Sequence, residues 1–170
     1  NNELFIARDR FGVKPFYYTS YDGKLIFSSE IKAIHAAGVP KKPNEDMWAT
    51  YLTLGKFNIK NYTFWENIYA LESGHYAVIN TNNPVHNVKS NPWYDFVGNI
   101  HELWNDPAYN NRTKDEHLLV YRSLLEESIK LRFRADVKVG FNISGGLDSS
   151  TLLGAVDQLF PSDQIEAFSF

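Results

Sequence analysis

The chain has 170 residues, 44% of them hydrophobic and 22% charged, enough apolar material for one sizeable core or two small ones, which excludes wholesale disorder. Seventeen basic against twenty acidic residues give a formal charge of −3, so the chain lacks the basic footprint that nucleic acid or an anionic membrane surface selects. The absence of cysteine excludes disulfides, thiolate metal sites and a Cys nucleophile. No apolar run nears the ~20 residues of a membrane span, and Asn1 to Arg10 lack a signal-peptide pattern, so a cytoplasmic protein is expected.

Both ends lie in apolar, strand-like runs, Leu4-Phe5-Ile6-Ala7 and Ala167-Phe168-Ser169-Phe170, where domains usually have polar, exposed ends. A piece of a longer protein is therefore expected. Residues 4 to 30 read as an antiparallel meander, with Asp22-Gly23 as a hairpin turn between Pro15–Tyr21 and Lys24–Ser28, because both central residues of that turn need positive φ. Ser28 or Ser29 is expected to cap a short helix carrying Ile31, Ile34 and His35. Asn44 is expected to cap a second, with Met47, Trp48, Tyr51 and Leu52, before a turn and a strand over Gly74–Ile79.

Nine asparagines and three prolines between Asn80 and Asn111 read as a connector and place a domain boundary there. Thr113-Lys114-Asp115-Glu116 fits a capping box, and Leu118, Tyr121, Leu125 and Ile129 continue one helical face, with Glu126 and Lys130 at i,i+4 spacing. Val137, Val139, Phe141 and Ile143 alternate as a strand. A glycine-bearing turn over Ser144–Ser150, a helix over Thr151–Leu159 and a strand over Ile165–Phe170 complete a parallel βαβ unit. Its loop lies at the strand's C-terminal end, where open α/β sheets bind ligands.

Ser144-Gly145-Gly146-Leu147-Asp148-Ser149-Ser150 carries the chemical argument. Two glycines admit a ligand close to the backbone, the helix start offers unpaired N–H groups to a phosphate, and three serine hydroxyls add donors. The loop lacks the Walker spacing, and GxGxxG is absent. A carboxylate beside a polyphosphate is repulsive unless a divalent cation joins them, which makes Asp148 a candidate Mg²⁺ ligand. Two rival readings are a plain βα turn capped by Asp148 or Ser149, and a nucleophile elbow at Ser144. The elbow lacks its first glycine and a histidine downstream of the serine.

That loop and the run before it, Leu131-Arg132-Phe133-Arg134-Ala135-Asp136-Val137-Lys138-Val139-Gly140, resemble the pyrophosphate-binding region of glutamine-hydrolysing asparagine synthetases. Ala7-Arg8-Asp9-Arg10-Phe11-Gly12-Val13-Lys14-Pro15-Phe16-Tyr17-Tyr18 and Phe27–Ile34 resemble the late part of the same family's glutaminase domain. The resemblance implies an α+β Ntn-type glutaminase remnant over 1–80, a connector over 81–112, and over 113–170 the first βαβ unit of an α/β ATP-pyrophosphatase domain of the adenine nucleotide alpha hydrolase type. It implies glutamine and aspartate, or another carboxylate such as a sugar acid, as substrates, with ATP and Mg²⁺; a non-catalytic nucleotide-binding module is the alternative. It further implies nucleotide contacts by Asn142, Ser144, Gly145, Gly146, Leu147, Asp148, Ser149, Ser150 and Phe170, with Asp148 on the metal. Asn142 stands where the family usually has Leu, and that position and Phe170 make main-chain contacts. The catalytic residues are implied to lie upstream of Arg8 and beyond Phe170. A homodimer is one open assembly; nucleic acid and membrane partners are not expected.

Arg8-Asp9-Arg10 reads as a structural ion-pair knot rather than a substrate clamp. His35, His75 and His86 lack partners at metal-ligand spacing. The aromatic residues read as core and packing groups.

Overall fold

The structure, a computed structural model, describes residues 2–57, 59–82, 88–161 and 165–169. The chain divides into two units, Asn1–Leu103 and Trp104–Phe170.

The first unit has two antiparallel three-stranded sheets among its described residues. One joins β1 (Glu3–Ala7), β5 (His75–Asn80) and β6 (Asn91–Pro92); the other joins β3 (Lys24–Ser28), β2 (Tyr17–Tyr21) and β4 (Tyr69–Ala70). The β2–β3 hairpin turns on Asp22 and Gly23, at φ 51° and 67°, as the Asp-Gly pair predicts. β1 does not continue that meander. It pairs with β5 in the register Glu3↔Asn80 to Ala7↔Tyr76, which brings Ile6, Ala77 and Ile79 into one buried cluster with Tyr18 and Leu71.

The cause is the loop that follows β1. The Asp9 carboxylate accepts backbone N–H groups from Phe11, Val13 and Lys14 at 3.2, 2.9 and 2.8 Å. The Arg8 guanidinium donates to the carbonyls of Gly12, Lys14 and Leu71 at 2.8, 2.9 and 2.6 Å. The chain is thereby folded back before β2 begins. The expected ion-pair knot is thus a backbone-binding knot, in which both charged groups are spent on peptide groups rather than on each other.

A second cluster packs Ile34, Val39 and Ile68 beneath Ile26 and Trp65. Ile34 lies on α1 (Ile31–Ala36), whose N-cap is Glu30 without a side-chain cap bond. The expected serine cap fails because Ser28 belongs to β3 and its hydroxyl accepts only the Glu30 N–H, at 3.2 Å, one residue short of the helix. Asn44 does cap α2 (Glu45–Leu54), accepting from the Met47 N–H at 3.2 Å. The stretch read as a connector carries β6, paired to β5, and α3 (Phe96–Trp104) and α4 (Pro107–Asn110), whose first turns are bonded by the Asp95 side chain on the Gly98 N–H and the Asp106 side chain on the Ala108 N–H. Residues 83–87 of that stretch, His86 among them, lie outside the described residues.

The second unit opens with α5 (Lys114–Arg132), held by the full capping box: the Thr113 hydroxyl accepts the Glu116 N–H while the Glu116 carboxylate accepts the Thr113 N–H at 2.7 Å. Glu126 pairs with Arg122 at 2.8 Å rather than with Lys130, because the longer guanidinium fork reaches along the exposed face. β7 (Gly140–Ile143) and β8 (Glu166–Ser169) pair in parallel across α6 (Leu147–Leu159), the expected crossover. The strand is shorter than the alternation implied, since Val137 is 77% exposed and has nothing to pack against. Phe133 stacks on Phe141 and Phe160 at 5.8 and 4.6 Å, closing one face of β7.

Candidate functional site

The turn after β7 is three residues long. Gly145 takes φ +76°, a left-handed conformation that an L side chain adopts only under strain, and Gly146 is the helix N-cap. α6 therefore begins at Leu147, four residues before the expected Thr151, and takes in Asp148, Ser149 and Ser150. The earlier start follows from the extended backbone of Gly146, at φ −80° and ψ 166°, whose carbonyl accepts the Ser150 N–H at 3.2 Å. The N–H groups of Leu147, Asp148 and Ser149 have no carbonyl one turn back to bond, and no side chain caps them.

The hydroxyls are satisfied within the turn. Ser149 Oγ and Ser150 Oγ donate to the Gly146 carbonyl at 3.1 and 2.9 Å, and Ser144 Oγ lies 3.3 Å from Ser149 Oγ and accepts the Gly146 N–H at 3.4 Å. No histidine meets Ser144 among the described residues, so none of them activates it as a nucleophile. The plain-cap reading fails, because Gly146 occupies the cap position and neither Asp148 nor Ser149 bonds a helix N–H.

Asp148 is exposed in the first turn of α6, and its carboxylate has no hydrogen bond or ion pair among the described residues. No group of three His, Asp or Glu side chains that could enclose a metal occurs among the described residues. Leu147, 82% exposed, contributes its backbone rather than its side chain to the turn. Asn142 is exposed on β7, two residues before Ser144, and Phe170 lies outside the described residues. The parallel register sets Phe168 opposite Asn142, a pairing that depends on the crossover and has no local signal.

Elsewhere, His35 Nδ1 lies 3.0 Å from the Val39 carbonyl and its ring meets Trp65 edge-on at 4.7 Å. His75 Nδ1 lies 2.9 Å from the Ser73 carbonyl. Arg10 lies over the rings of Trp93 and Tyr94, at 6.0 and 5.3 Å. These groups are engaged in unit 1 and join no shared site.

Comparison with known proteins decides the family. Residues 1–94 match the model of a glutamine amidotransferase domain, and residues 120–170 match the model of asparagine synthase. The chain belongs to the glutamine-hydrolysing asparagine synthetase family. It is 34% identical over 158 residues to asparagine synthetase 2 (glutamine-hydrolysing) of Bacillus subtilis, covering 89% of this chain and 20% of that protein. It is 33% identical to amidase chry2 of Gibberella zeae, over 92% of this chain and 22% of the relative. Amidase chyE of Penicillium rubens is 32% identical over 94% of this chain and 22% of its own length. The chain thus spans about a fifth of the length of these relatives. No helix among the described residues is long and apolar enough to cross a membrane.

Proposed function

We propose that the chain carries the end of an Ntn-type glutaminase domain over 1–80, a connector over 81–112, and the start of an ATP-pyrophosphatase domain over 113–170. The ligase so assembled forms an amide from glutamine-derived ammonia and a carboxylate. The observation that supports this most is the Ser144–Gly146 turn: a left-handed glycine and an uncapped helix start at the C-terminal end of a parallel strand. It falls in the stretch that matches asparagine synthase, downstream of the amidotransferase match.

The chemistry needs such a site. A carboxylate is a poor electrophile because oxide is a poor leaving group. Transfer of AMP from ATP onto the carboxylate breaks the bond between the α- and β-phosphates and expels pyrophosphate, and ammonia then forms the C–N bond as AMP leaves. In this reading the N–H groups of Leu147, Asp148 and Ser149 receive the oxygens of departing pyrophosphate. Gly145 and Gly146 keep side chains out of its way. The hydroxyls of Ser144, Ser149 and Ser150 turn from one another and from the Gly146 carbonyl toward the phosphates.

Asp148 suits Mg²⁺, since its carboxylate has no partner among the described residues and Mg²⁺ is commonly held by one or two carboxylates together with substrate phosphates. Asp148 would hold the ion there, and the ion would supply positive charge against the leaving group. Asn142 and Phe170 contribute main chain to the nucleotide. Aspartate is the acceptor in this reading, in a cytoplasmic enzyme.

Equilibrium dialysis of the full-length protein against ATP, with and without Mg²⁺, tests the site. Saturable binding that weakens when Mg²⁺ is withheld is expected. No ATP binding in either condition contradicts the proposal.

A further inference from the structure

After β5 the chain comes back to the 8–12 loop. The Gly74 carbonyl accepts the Trp93 and Tyr94 N–H groups at 2.8 and 3.2 Å, and the Trp93 indole N–H donates to the Arg8 carbonyl at 3.1 Å. The Arg10 guanidinium lies over both rings, 6.0 Å from the centre of Trp93 and 5.3 Å from that of Tyr94. Phe11 meets Tyr94 and Phe96 edge-on at 6.0 and 5.5 Å. Gly74, at φ +66°, completes the seat: a Cβ there would lie 3.0 Å from the Tyr94 carbonyl oxygen. β6 has only two residues, Asn91 and Pro92, so its ladder alone holds this segment weakly.

We propose that Arg10 and Phe11 are positioning residues: with Trp93 and Tyr94 they form a clasp that fixes where the chain leaves the amidotransferase domain for the ATP-using one. The clasp thereby governs how much glutamine-derived ammonia is captured in the amide. This rests on the ligase reading above.

The place of the clasp along the chain carries the argument. The amidotransferase match ends at residue 94 and the asparagine synthase match begins at residue 120, so the clasp closes on the last residues of the first match. The link between the two, α3 and α4 included, follows it directly. None of Arg10, Phe11, Trp93 and Tyr94 belongs to either buried cluster of unit 1 or packs against one, so their convergence holds the departing segment rather than the core. Ammonia released into water is protonated to ammonium, which is no nucleophile. Capture of ammonia by a second domain therefore depends on how firmly that domain is tethered, and slack at residues 93–94 passes to everything after them.

The test is Tyr94→Ala in the full-length protein, which removes the ring that Arg10, Phe11 and Trp93 all contact. Three rates are read on one sample: glutamine hydrolysis, amide formation from aspartate with added ammonium salt, and amide formation from aspartate with glutamine. The first two are expected to stay within about 2-fold of native, as for a substitution outside the core. Amide formed per glutamine hydrolysed is expected to fall roughly 10-fold, the sum of one cation–π and two ring contacts. Arg10→Met, which keeps the stem and loses the cation, is expected to lower that yield about 3-fold, and Arg10→Lys to restore it. An unchanged yield per glutamine in Tyr94→Ala overturns the inference. Loss of all three rates in Tyr94→Ala leaves the decision to Arg10→Met, whose unchanged yield, or equal fall in all three rates, also overturns it. If the native protein forms no amide from aspartate with either nitrogen source, the ligase reading with aspartate as acceptor falls and this inference falls with it.

Discussion

The two units are built differently. Unit 1 closes two buried clusters, Ile6 with Tyr18, Leu71, Ala77 and Ile79, and Ile34 with Val39 and Ile68. Unit 2 fully buries Ile129 and Val156 among its apolar residues, and holds its shape by a capping box, a stacked phenylalanine trio and a short parallel ladder. Its glycine turn stands in open space. Gly23, Gly38 and Gly55 of unit 1 are left-handed in equally open space, so the space at Gly145 admits a ligand without marking one.

The sharpest contrast is between Arg8 and any single group in unit 2. Arg8→Met keeps the aliphatic stem but strands three carbonyls, and is expected to destabilise unit 1 by about 3 kcal/mol. Urea unfolding followed by aromatic fluorescence measures it; a loss below about 1 kcal/mol would mean that solvent replaces the guanidinium.

Two glycines with the same backbone sign extend the comparison. A Cβ on Gly12 would collide with Ser73 Oγ and come within 3.0 Å of the Arg8 guanidinium, at φ +65°. A Cβ on Gly145 meets nothing within 4 Å, at φ +76°. Gly12→Ala is expected to cost roughly 2–3 kcal/mol, strain plus collision, and Gly145→Ala about 1 kcal/mol, strain alone. Equal losses in melting experiments would remove the distinction between scaffold loop and ligand loop. In unit 2, Thr113→Ala removes half of the capping box and is expected to cost about 1 kcal/mol, read as reduced helicity on mild heating.

The smallest effect comes in acid. Backbone N–H groups of Lys14 and Val13 hold the Asp9 carboxyl below its ordinary range, and the backbone N–H and hydroxyl of Thr113 do the same for Glu116. Both folded values are depressed, so their contribution is present above the ordinary carboxylate range and is lost as pH falls through the folded values. Protection of the amides in the 9–14 loop and the first turn of α5, taken as exchange relative to the unstructured rate at the same pH, should therefore fall only at pH below that range. Protection already lost near neutrality would contradict the assignment.

Local chemistry was legible in the sequence. Asp22-Gly23, Asn44 and Thr113 with Glu116 each act within four residues, and the structure places each as expected. Partnership between distant segments was not legible: β1 reads like the first strand of a meander, and only the Arg8 bond to Leu71, 63 residues away, and the fit of Ile6 against Ala77 send it to β5. The start of α6 was misplaced because a glycine can serve as N-cap without any side-chain signature. At the candidate site, the glycines and hydroxyls of Ser144 to Ser150 pointed to the turn that the structure forms, while the pairing of Asn142 with Phe168 had no local signal.

The central claim is that Asp148 holds a metal against a leaving pyrophosphate, and Asp148→Asn in the full-length protein tests it most directly. The carboxylate bonds nothing among the described residues, so the melting temperature should stay within the equivalent of about 1 kcal/mol. Pyrophosphate release should fall on the order of 10²–10³-fold, the usual loss when one preorganised electrostatic contact at a developing charge is removed. Glutamine hydrolysis, assayed on the same sample, should persist. Pyrophosphate release near the native rate would contradict the metal role, and a joint fall of both activities and the melting temperature would make Asp148 a structural residue instead.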